Sequence, residues 1–399
     1  MKYILLLFGI SMMIVSCTPK TSEKEKQIKE IDLLLSKATE QAKLLAAYLI
    51  NEKDKLPRTL DKDGNLVTAK SSWWTSGFFS GTLWYLYEAT GDTILLNYAK
   101  EYTSRVENEQ YNKGDHDVGF MLNCSFGNGY RLTGDESYKK VLLTGAESLS
   151  TRFSEKTGVI RSWDWNVDVW QYPVIIDNMM NLELLEWASK NSDSTKYAMI
   201  AESHADVTMR EHFREDYSCY HVVSYDPETG KPEIKQTRQG FADESAWARG
   251  EAWALYGYVM MYRESGEKRY LTQAENIAKF ILDHPRLPKD GIPYWDFDAP
   301  DIPDAKRDAS AAAIMASAFI ELSTTTEADL SSKCLTIARK QLETLSSDEY
   351  FAQKGTNGNF ILKHSVGSLP ENSEVDVPLT YADYYYIEAL LRYKKSLNN

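Results

Sequence analysis

Most apolar residues of this chain recur at the three-to-four-residue spacing of an amphipathic helix, and few segments alternate as a half-buried strand does. The predicted helices come in pairs. A helix rich in aromatic and small residues leads through a short polar turn into an amphipathic helix. Two of the turns have the same three residues, Thr-Gly-Asp, at 90–92 and 133–135. The pattern therefore predicts a repeated helical hairpin.

The first helix of each pair is apolar around its circumference, whereas the second has one charged face. We expect the first helices to be buried on all sides and the second to lie outside them. Five or six such pairs predict an all-α, closed double ring of helices in a single domain. The irregular spacing of the pairs, roughly 43 to 75 residues, argues against an open solenoid with uniform repeats. A helix near residues 28–51 would pair with the last helix, which starts near residue 381.

Long connections lead into the first helices, and in a closed ring they would gather at one end and form a site there. They are predicted at 52–75, 105–117, 154–176, 214–246, 284–308 and 349–381. They hold an unusual number of large rings, which are Trp73, Trp74, Trp163, Trp165, Trp170 and Trp295. Aromatic faces stack on the C–H faces of sugars, so these rings favour a carbohydrate ligand. The alternative is that they only pack between helices.

The N-terminus has one lysine, a short apolar run and then Ser16-Cys17, which is typical of a bacterial lipoprotein signal. We expect residues 1–16 to be removed and Cys17 to carry lipid. Residues 17–29 would form a polar tether and residues 30–399 the single helical domain. The protein would then be exported to the periplasm or outer membrane. The alternative is an ordinary cleaved signal peptide.

Composition excludes some classes of function. The net charge is −13 over 399 residues and no basic run is dense enough to follow phosphates, so a nucleic-acid partner is not expected. Cys124, Cys219 and Cys334 lack metal-ligand spacing and do not make a disulfide framework. We predict that these three cysteines are small buried hydrophobic residues.

Two aspartates, Asp117 and Asp177, each stand where an apolar helix begins. Either residue could be an ordinary helix N-cap. Asp177, however, has apolar residues on both sides, which would raise its pKa and suit a proton donor near neutral pH. Asp117 follows Asp115 and His116 in a more polar stretch and is expected to stay charged. Two carboxyls with pKa values shifted in opposite directions would suit sugar chemistry.

A third segment, residues 237–253, combines an arginine with two indoles. Arg249 and Trp253 lie one helical turn apart on the same face, and Trp247 stands near the helix start. An arginine beside indoles can bind a carboxylate while the rings hold the sugar. The alternative is an Arg/Trp stack that only packs.

With these motifs in view, the chain resembles the unsaturated glucuronyl hydrolases, glycoside hydrolase family 88, over most of residues 30–395. The resemblance rests on segments in the order of the family pattern, at 73–84, 116–121, 175–188, 220–230, 239–258, 307–314 and 364–392. It implies an (α/α)6 barrel. It also implies hydration of a C4=C5 vinyl ether in the 4-deoxy-uronate that polysaccharide lyases leave at a non-reducing end, without a metal or organic cofactor.

The resemblance also implies roles for single residues. Asp177 matches the general acid/base, and Asp117 matches the aspartate that supports the charge of the transition state. Seven residues fall on predicted substrate-binding positions, with Arg249 expected to contact the uronate carboxylate: Trp74, His116, His221, Gln239, Trp247, Arg249 and Trp253.

Three other hypotheses about the function are also consistent with the sequence. An unsaturated rhamnogalacturonyl hydrolase would share the fold and the chemistry but act on pectin fragments. A non-catalytic sugar-binding lipoprotein would bind the unsaturated sugar without consuming its double bond. An α/α-barrel sugar epimerase would be expected to place several histidines at the ring centre.

Overall fold

The structure, a computed structural model, describes residues 22–398 of the chain. The predicted signal peptide (1–16) and the predicted lipidation site, Cys17, lie outside the described residues. In residues 22–398, every helix is too short or too polar to cross a lipid bilayer.

Thirteen α-helices make up about half of the described chain. They are α1 (Glu23–Leu49), α2 (Phe78–Thr90), α3 (Thr93–Ser104), α4 (Val118–Leu122), α5 (Asn128–Thr133), α6 (Glu136–Ser150), α7 (Leu182–Lys190), α8 (Lys196–Glu211), α9 (Ala248–Ser265), α10 (Lys268–Asp283), α11 (Ala309–Leu322), α12 (Ala328–Leu345) and α13 (Thr380–Asn398). A π-helical segment, Asn123–Gly127, joins α4 to α5, and a 3-10 helix, Ile176–Asn181, leads into α7. Two further 3-10 helices are Glu107–Tyr111 and Asn357–Asn359.

The helices form a closed double ring, which confirms the predicted all-α barrel. The inner ring consists of α2, the α4–α5 segment, α7, α9, α11 and α13, and each contacts the next until α13 closes on α2. The outer ring consists of α3, α6, α8, α10 and α12, each against its inner partner, and α1, which packs on α13 and α2. Inner helices such as α11 are buried almost throughout, as their apolar circumference predicts.

The repeated Thr-Gly-Asp turns explain how a hairpin reverses. Gly91 ends α2 with a φ of 69°, a left-handed conformation that glycine adopts without a side-chain penalty. Asp92 then caps α3 by accepting a hydrogen bond from the backbone N–H of Ile94 at 2.8 Å. Gly134 and Asp135 repeat this arrangement between α5 and α6.

The segment predicted as a tether differs in the structure, because α1 begins at Glu23 and residues 23–29 are helical. Ser22 and Glu25 form a capping box, in which each side chain accepts a hydrogen bond from the other residue's backbone N–H. This cap allows the helix to start within a polar sequence. The described part of the predicted tether is thus largely the first two turns of the outer helix.

Nine short strands lie in the connections at one end of the barrel. They are β1 (Leu56–Leu60), β2 (Leu66–Ala69), β3 (Phe153–Ser154), β4 (Val159–Ile160), β5 (Pro173–Ile175), β6 (Val222–Tyr225), β7 (Pro232–Gln236), β8 (Ser365–Ser368) and β9 (Ser373–Val377). All pairings are antiparallel, and β5–β6–β7 joins two different connections. The long connections thus meet at one end of the ring, as predicted. The three cysteines are free and buried, which confirms that prediction too.

Candidate active site

The connections enclose a cavity of about 380 Å³ at the end of the barrel where the inner helices α9 and α13 begin. Its floor is buried and its mouth is open to solvent. The lining is mainly polar, charged and aromatic, and it includes Arg58, Trp73, Trp74, Asp115, His116, Asp117, Trp163, Trp165, Asp177, His221, Arg238, Gln239, Arg249, Ser368, Glu371, Glu374 and Tyr381.

Asp177 lies in the first turn of the 3-10 helix that follows β5. It is only 9% exposed, and its Oδ2 atom is buried without a hydrogen-bond partner. Burial raises the pKa of this carboxyl to about 6. The positive charge of Arg249 and the nearby indole N–H of Trp253 offset part of this rise. The Trp253 N–H lies outside hydrogen-bond geometry. The N-cap of the helix is Ile175, so Asp177 is not a cap.

Asp117 occupies the N-cap position of α4, but its side chain makes no capping hydrogen bond. Its Oδ1 accepts a bond from Asn181 Nδ2 at 3.3 Å, and its Oδ2 lies 3.5 Å from His116 Nε2. The simple capping interpretation therefore fails for both aspartates.

The expectation that Asp117 stays charged is wrong. Burial, followed by the neighbouring Asp115 and Asp177 carboxyls, raises the pKa of Asp117 well above its ordinary value. The two candidate carboxyls are thus shifted in the same direction. The polar residues beside Asp117 in sequence do not keep it hydrated, because the connections bury it in the folded chain.

Asn181 links the helices that carry the two aspartates. Its Oδ1 accepts a hydrogen bond from the Phe120 backbone N–H at 2.8 Å while its amide holds Asp117. The approach requires a glycine at position 119, where a Cβ atom would lie 2.5 Å from the Asn181 Cα. Gly119 and Asn181 therefore set the spacing between the two carboxyl-bearing elements.

His221 has one tautomer imposed on it by the backbone. Its Nδ1 accepts hydrogen bonds from the backbone N–H groups of Arg238 (3.1 Å) and Gln239 (3.2 Å). The proton must then be on Nε2, which lies 3.7 Å from Asp177 Oδ2 and has no hydrogen-bond partner. Burial lowers the pKa of His221 well below its usual value, so the ring is a neutral donor aimed at the cavity.

His116 is also neutral and directed into the cavity. It is buried, its Nδ1 has no hydrogen-bond partner, and burial lowers its pKa to about 4. Trp74 also lines the cavity, where it packs against Tyr381 with ring centroids 4.9 Å apart. Gln239, Trp74, His116 and His221 are thus brought together around one space, as the sequence predicts.

Arg249 lines the cavity but does not have the free guanidinium that the sequence suggested. It is 1% exposed and donates to the backbone carbonyls of Val366 and Gly367 in β8, the latter at 2.6 Å, and pairs with Asp308 at 3.3 Å. Only Nε is left without a partner. Arg249 therefore holds the β8–β9 hairpin over the cavity and supplies positive charge there.

Trp247 and Trp253 do not line the cavity in this structure. Trp247 lies behind its wall, with its ring 4.6 Å from that of His221 and 4.4 Å from the Arg249 guanidinium. Trp253 is fully buried against Phe120 and Tyr385. Trp247 contacts the His221 ring and the Trp253 indole N–H lies near Asp177, so the substrate-binding role of both indoles stays a prediction.

Several lining residues were not singled out as binding residues from the sequence. Trp163 and Trp165 stack at 4.7 Å, and the aromatic content of their connection was the one signal that could have found them. Arg58 and Arg238 reach the cavity from separate connections and pair with Glu374 and Glu371. No local pattern marks such long-range ion pairs.

A larger cavity of about 790 Å³ lies at the opposite end of the barrel, near the C-terminal ends of α9 and α13. Its charged residues, such as Arg263, Glu321 and Arg392, are paired with one another. Among residues 22–398, none that lines this cavity has a fully buried polar side-chain atom without a partner. The buried polar side-chain atoms at that end of the barrel therefore already have hydrogen-bond or ion-pair partners within the protein.

The smaller cavity is different in this respect. Seven of its lining residues have a buried polar atom without a hydrogen-bond partner: His116 Nδ1, Trp163 Nε1, Asp177 Oδ2, His221 Nε2, Arg249 Nε, Ser368 Oγ and Tyr381 OH. Buried polar groups are normally satisfied, so a concentration of unsatisfied ones marks a place for a polar ligand or water. We take this cavity as the candidate active site.

One group of side chains in the cavity could offer ligands to a metal. Asp115, His116 and Asp117 place potential ligand atoms within 4.8 Å of one another. Clustered acidic groups are common without a metal ion. This cluster contains one histidine and no cysteine. The expected absence of a metal or organic cofactor stays a prediction.

Comparison with known proteins agrees with the cavity chemistry. Residues 48–394 match Glycosyl Hydrolase Family 88. The chain is 44% identical over 392 residues to an unsaturated glucuronyl hydrolase of Formosa agariphila, covering 98% of this chain and 97% of the relative. It is 32% identical over 375 residues to an unsaturated chondroitin disaccharide hydrolase of Streptococcus pneumoniae, covering 93% of each.

A solved structure has the same fold. The crystal structure of an unsaturated glucuronyl hydrolase specific for heparin superposes with a TM-score of 0.89 at 48% sequence identity, covering 93% of this chain and 98% of the other.

Proposed function

The chain belongs to glycosyl hydrolase family 88 and is a glycosidase, and from this premise we propose that it removes the 4,5-unsaturated uronic acid from the non-reducing end of glycosaminoglycan-type oligosaccharides produced by lyases. The relatives it resembles over nearly their whole length are hydrolases of unsaturated glucuronyl compounds. They favour this substrate over the pectin fragments considered from the sequence.

The observation that carries the proposal is the concentration of unpaired polar atoms around the buried Asp177 and half-buried Asp117 carboxyls. A sugar residue offers hydroxyl, carboxylate and ring oxygens on a small ring, and Trp74 and Trp163 supply flat apolar faces beside them. The cavity is closed at its floor, which suits a terminal sugar rather than the interior of a chain.

In the proposed reaction, Asp177 is the general acid and base. Its protonated carboxyl donates a proton to C4, and positive charge develops at C5 and the ring oxygen. Water then adds at C5 and returns its proton to the Asp177 carboxylate. The resulting hemiketal opens to a ketone, C1 becomes an aldehyde, and the second sugar is released.

The raised pKa of Asp177 supports this role, because a carboxyl with a pKa of about 6 is still protonated in about a tenth of the molecules at pH 7, far more than an ordinary aspartate. Protonation on carbon is slow, so the position and protonation of the acid matter. The neutral His221 places its Nε2–H beside Asp177 and can orient either the carboxyl or the attacking water.

Asp117 and His116 are proposed to hold the sugar hydroxyls. Burial and the neighbouring carboxyls raise the pKa of Asp117, and the positive charge that develops at C5 would favour its ionised form. In this mechanism, Asp117 becomes more ionised as the transition state forms, and its negative charge stabilises the positive charge at C5.

We propose that several side chains together bind the uronate carboxylate, and that Arg249 does not bind it alone through two parallel hydrogen bonds. Arg249 Nε, Ser368 Oγ and Tyr381 OH are unpaired donors on the wall that the β8–β9 hairpin covers. The fixed positive charge of Arg249 attracts the anion, while the uncommitted donors supply the hydrogen bonds.

A panel of lyase-generated unsaturated disaccharides tests the proposal. We expect loss of the double-bond ultraviolet absorbance with glycosaminoglycan products and a much slower loss with pectin-lyase products. Tight binding of the disaccharides without any loss of absorbance would contradict a catalytic role and support the non-catalytic alternative.

We also propose that the exported protein is anchored to a membrane by lipid on Cys17, as the sequence around Ser16 and Cys17 suggests. A Cys17→Ala variant should move from the membrane fraction to the soluble periplasmic fraction of the producing cell. Its unchanged membrane association would overturn the anchor.

A further inference from the structure

A short segment beside the active-site cavity contacts the backbone next to both candidate carboxyls. It consists of residues 160–162, which start at the end of β4, and we call it the spacer segment. The carbonyl of Ser162 accepts a hydrogen bond from the backbone N–H of His116 at 3.3 Å. Since His116 directly precedes Asp117, this bond connects the spacer segment to the element that carries the first carboxyl.

The spacer segment also holds the backbone on both sides of Asp177. The Oγ atom of Ser162 accepts a hydrogen bond from the backbone N–H of Ile175, two residues before Asp177, at 3.0 Å. The side-chain amide of Asn178, the residue after Asp177, donates to the carbonyl of Ile160 at 2.8 Å. Because both bonds end on the same short segment, the backbone that carries the Asp177 carboxyl cannot move away from it without breaking one of them.

Contacts outside the cavity fix the spacer segment in turn. The backbone N–H of Ile160 donates to Nδ1 of His204, on the outer helix α8, at 3.0 Å. The backbone N–H of Arg161 donates to the carbonyl of Arg152 at 3.0 Å, and Nε of Arg152 donates to the carbonyl of Arg161 at 2.8 Å. The segment is therefore a fixed support and not a loop that could follow a ligand.

Ser162 and Asn178 can affect the cavity only through these contacts. Both are 0% exposed, so neither offers a surface that a sugar could touch. The Asp177 carboxyl, in contrast, has an Oδ2 atom without a hydrogen-bond partner within residues 22–398. Since no bond holds that oxygen, the position of the carboxyl depends on the backbone that carries it.

We propose that Ser162 and Asn178 are positioning residues, which hold the Asp177 carboxyl against C4 of the terminal sugar by tying its backbone to the spacer segment. The inference rests on the proposed function, because a position relative to C4 matters only if Asp177 donates the proton. Transfer of a proton to carbon needs close alignment of donor and acceptor, and a displacement of about 1 Å can lower the rate roughly 100-fold.

The first test is Ser162→Ala, which leaves the backbone N–H of Ile175 buried without its partner. We expect kcat to fall about tenfold, as for a small displacement of the acid, and KM to stay within about twofold of the wild type, because the side chains around the sugar are unchanged. Ser162→Cys has a similar size and a weaker acceptor, so its kcat should lie between those of Ser162→Ala and the wild type. Loss of double-bond absorbance measures both constants.

The matched control is Ser224→Ala. Ser224 is also 0% exposed, and its Oγ accepts a hydrogen bond from the backbone N–H of Tyr172, at the far end of β5 from Asp177, at 3.4 Å. This variant should lower Tm and keep the wild-type kcat. An equal fall of kcat in Ser162→Ala and Ser224→Ala would show a general loss of structure and overturn the proposal, as would an unchanged kcat in Ser162→Ala.

Asn178→Ala provides an independent variant if Ser162→Ala does not fold. It removes the bond to Ile160 and should also lower kcat more than KM. Where both single variants fold, the double variant should lose less kcat than the product of the two single losses, because both residues act on one carboxyl through one segment. Losses that simply multiply would contradict the shared support.

A pKa measurement separates this inference from the proposed reaction. In Ser162→Ala the Asp177 carboxyl should become better hydrated, while the charges that face it, Arg249 and Asp117, and the neutral His221 stay in place. Its pKa should therefore fall from about 6 toward the ordinary value, and the decline of kcat/KM should move to lower pH.

Carbon NMR titration of isotope-labelled aspartates, with Asp177→Asn for the assignment, reads this pKa without turnover. If the pKa fell in Ser162→Ala but the wild-type protein consumed no double bond, the reaction would be wrong and the support of Asp177 would remain. Turnover by the wild type together with an unmoved pKa in Ser162→Ala would remove the positioning role alone.

Discussion

His221 Nε2 lies 3.7 Å from Asp177 Oδ2, and the backbone N–H groups of Arg238 and Gln239 decide which nitrogen of His221 carries the proton. A segment distant in sequence from Asp177 thus sets the environment of the proposed acid. Since burial keeps His221 neutral, its Nε2–H lies beside Asp177 without adding a charge that would lower the pKa of that carboxyl.

Replacing Asp177 by asparagine should abolish turnover and leave binding largely intact. The amide keeps the size of the side chain but has no proton to give, and loss of a general acid costs roughly 100- to 10,000-fold in rate. Double-bond absorbance measures kcat, and calorimetry measures Kd for the unsaturated disaccharide.

The matched control is Asp193→Asn, an exposed aspartate between α7 and α8, which should behave as wild type. An Asp177→Asn variant that kept a tenth of the wild-type kcat would remove Asp177 from the role of acid.

The pH dependence of kcat/KM should show a decline above about pH 6. The pKa of Asp177 is raised to about 6, so the protonated carboxyl that the reaction needs is present below that pH and is lost above it. Because Asp117 and Asp177 interact, the wild-type profile reports apparent pKa values of the pair.

An Asp117→Asn variant should reduce the profile to a single ionisation, even though it turns over more slowly. A wild-type rate that stayed level up to pH 8 would show that no group with the pKa of Asp177 limits the reaction.

Introducing a methyl group at Gly119 should disturb stability and catalysis together. A Cβ there would meet Asn181 at 2.5 Å and force apart the elements that carry Asp117 and Asp177. Overpacking of this kind typically costs about 1–3 kcal/mol. Thermal unfolding and kcat of Gly119→Ala measure the two effects.

Gly114→Ala is the comparison, because the nearest atom to its added Cβ would be 3.8 Å away. It should keep the wild-type Tm. Equal Tm values for both variants would show that the contact with Asn181 is not as tight as the structure has it.

Stability should fall between pH 5 and pH 8, because Glu251 keeps its proton in the folded chain while it ionises in the unfolded chain. Burial raises the pKa of Glu251 to about 8, whereas in the unfolded chain it ionises near 4.3. The contribution of its protonated form is complete below the unfolded value and is lost as pH rises to 8, at about 1.4 kcal/mol per pH unit for such a group.

Glu251→Gln keeps an acceptor for the Cys219 backbone N–H, now bound at 2.8 Å, and should flatten the decline of Tm with pH. Glu155→Gln, at an exposed position, should leave the slope as it is in the wild type. Identical slopes for Glu251→Gln and the wild type would mean that Glu251 does not titrate in this range.

Much of the fold was predictable because its signals are local. The Gly91–Asp92 turn contains both a left-handed C-terminal residue and an N-cap, and the apolar circumference of α11 marks an inner helix from its sequence alone. The apolar neighbours of Asp177 likewise gave the direction of its pKa shift, since those neighbours remain around it after folding.

The predictions that were wrong concern contacts between segments that are distant in sequence. Asp117 has polar neighbours in sequence, yet the folded connections bury it beside Asp115 and Asp177. Arg249 looked like a free carboxylate ligand, but its guanidinium is taken by carbonyls of Val366 and Gly367, more than a hundred residues away. Neither outcome could be read from a helix face.

The sequence by itself determined the helical hairpins, their turns and the closed all-α ring, because these depend on periodicity and capping within a few residues. It also placed Asp117, Asp177, His116 and His221 at the ends of elements that meet. Only the tertiary structure decided which donors stay unpaired and that Arg249 is committed to protein partners. Hydrogen bonds and burial between distant segments settle those properties, and no local pattern encodes them.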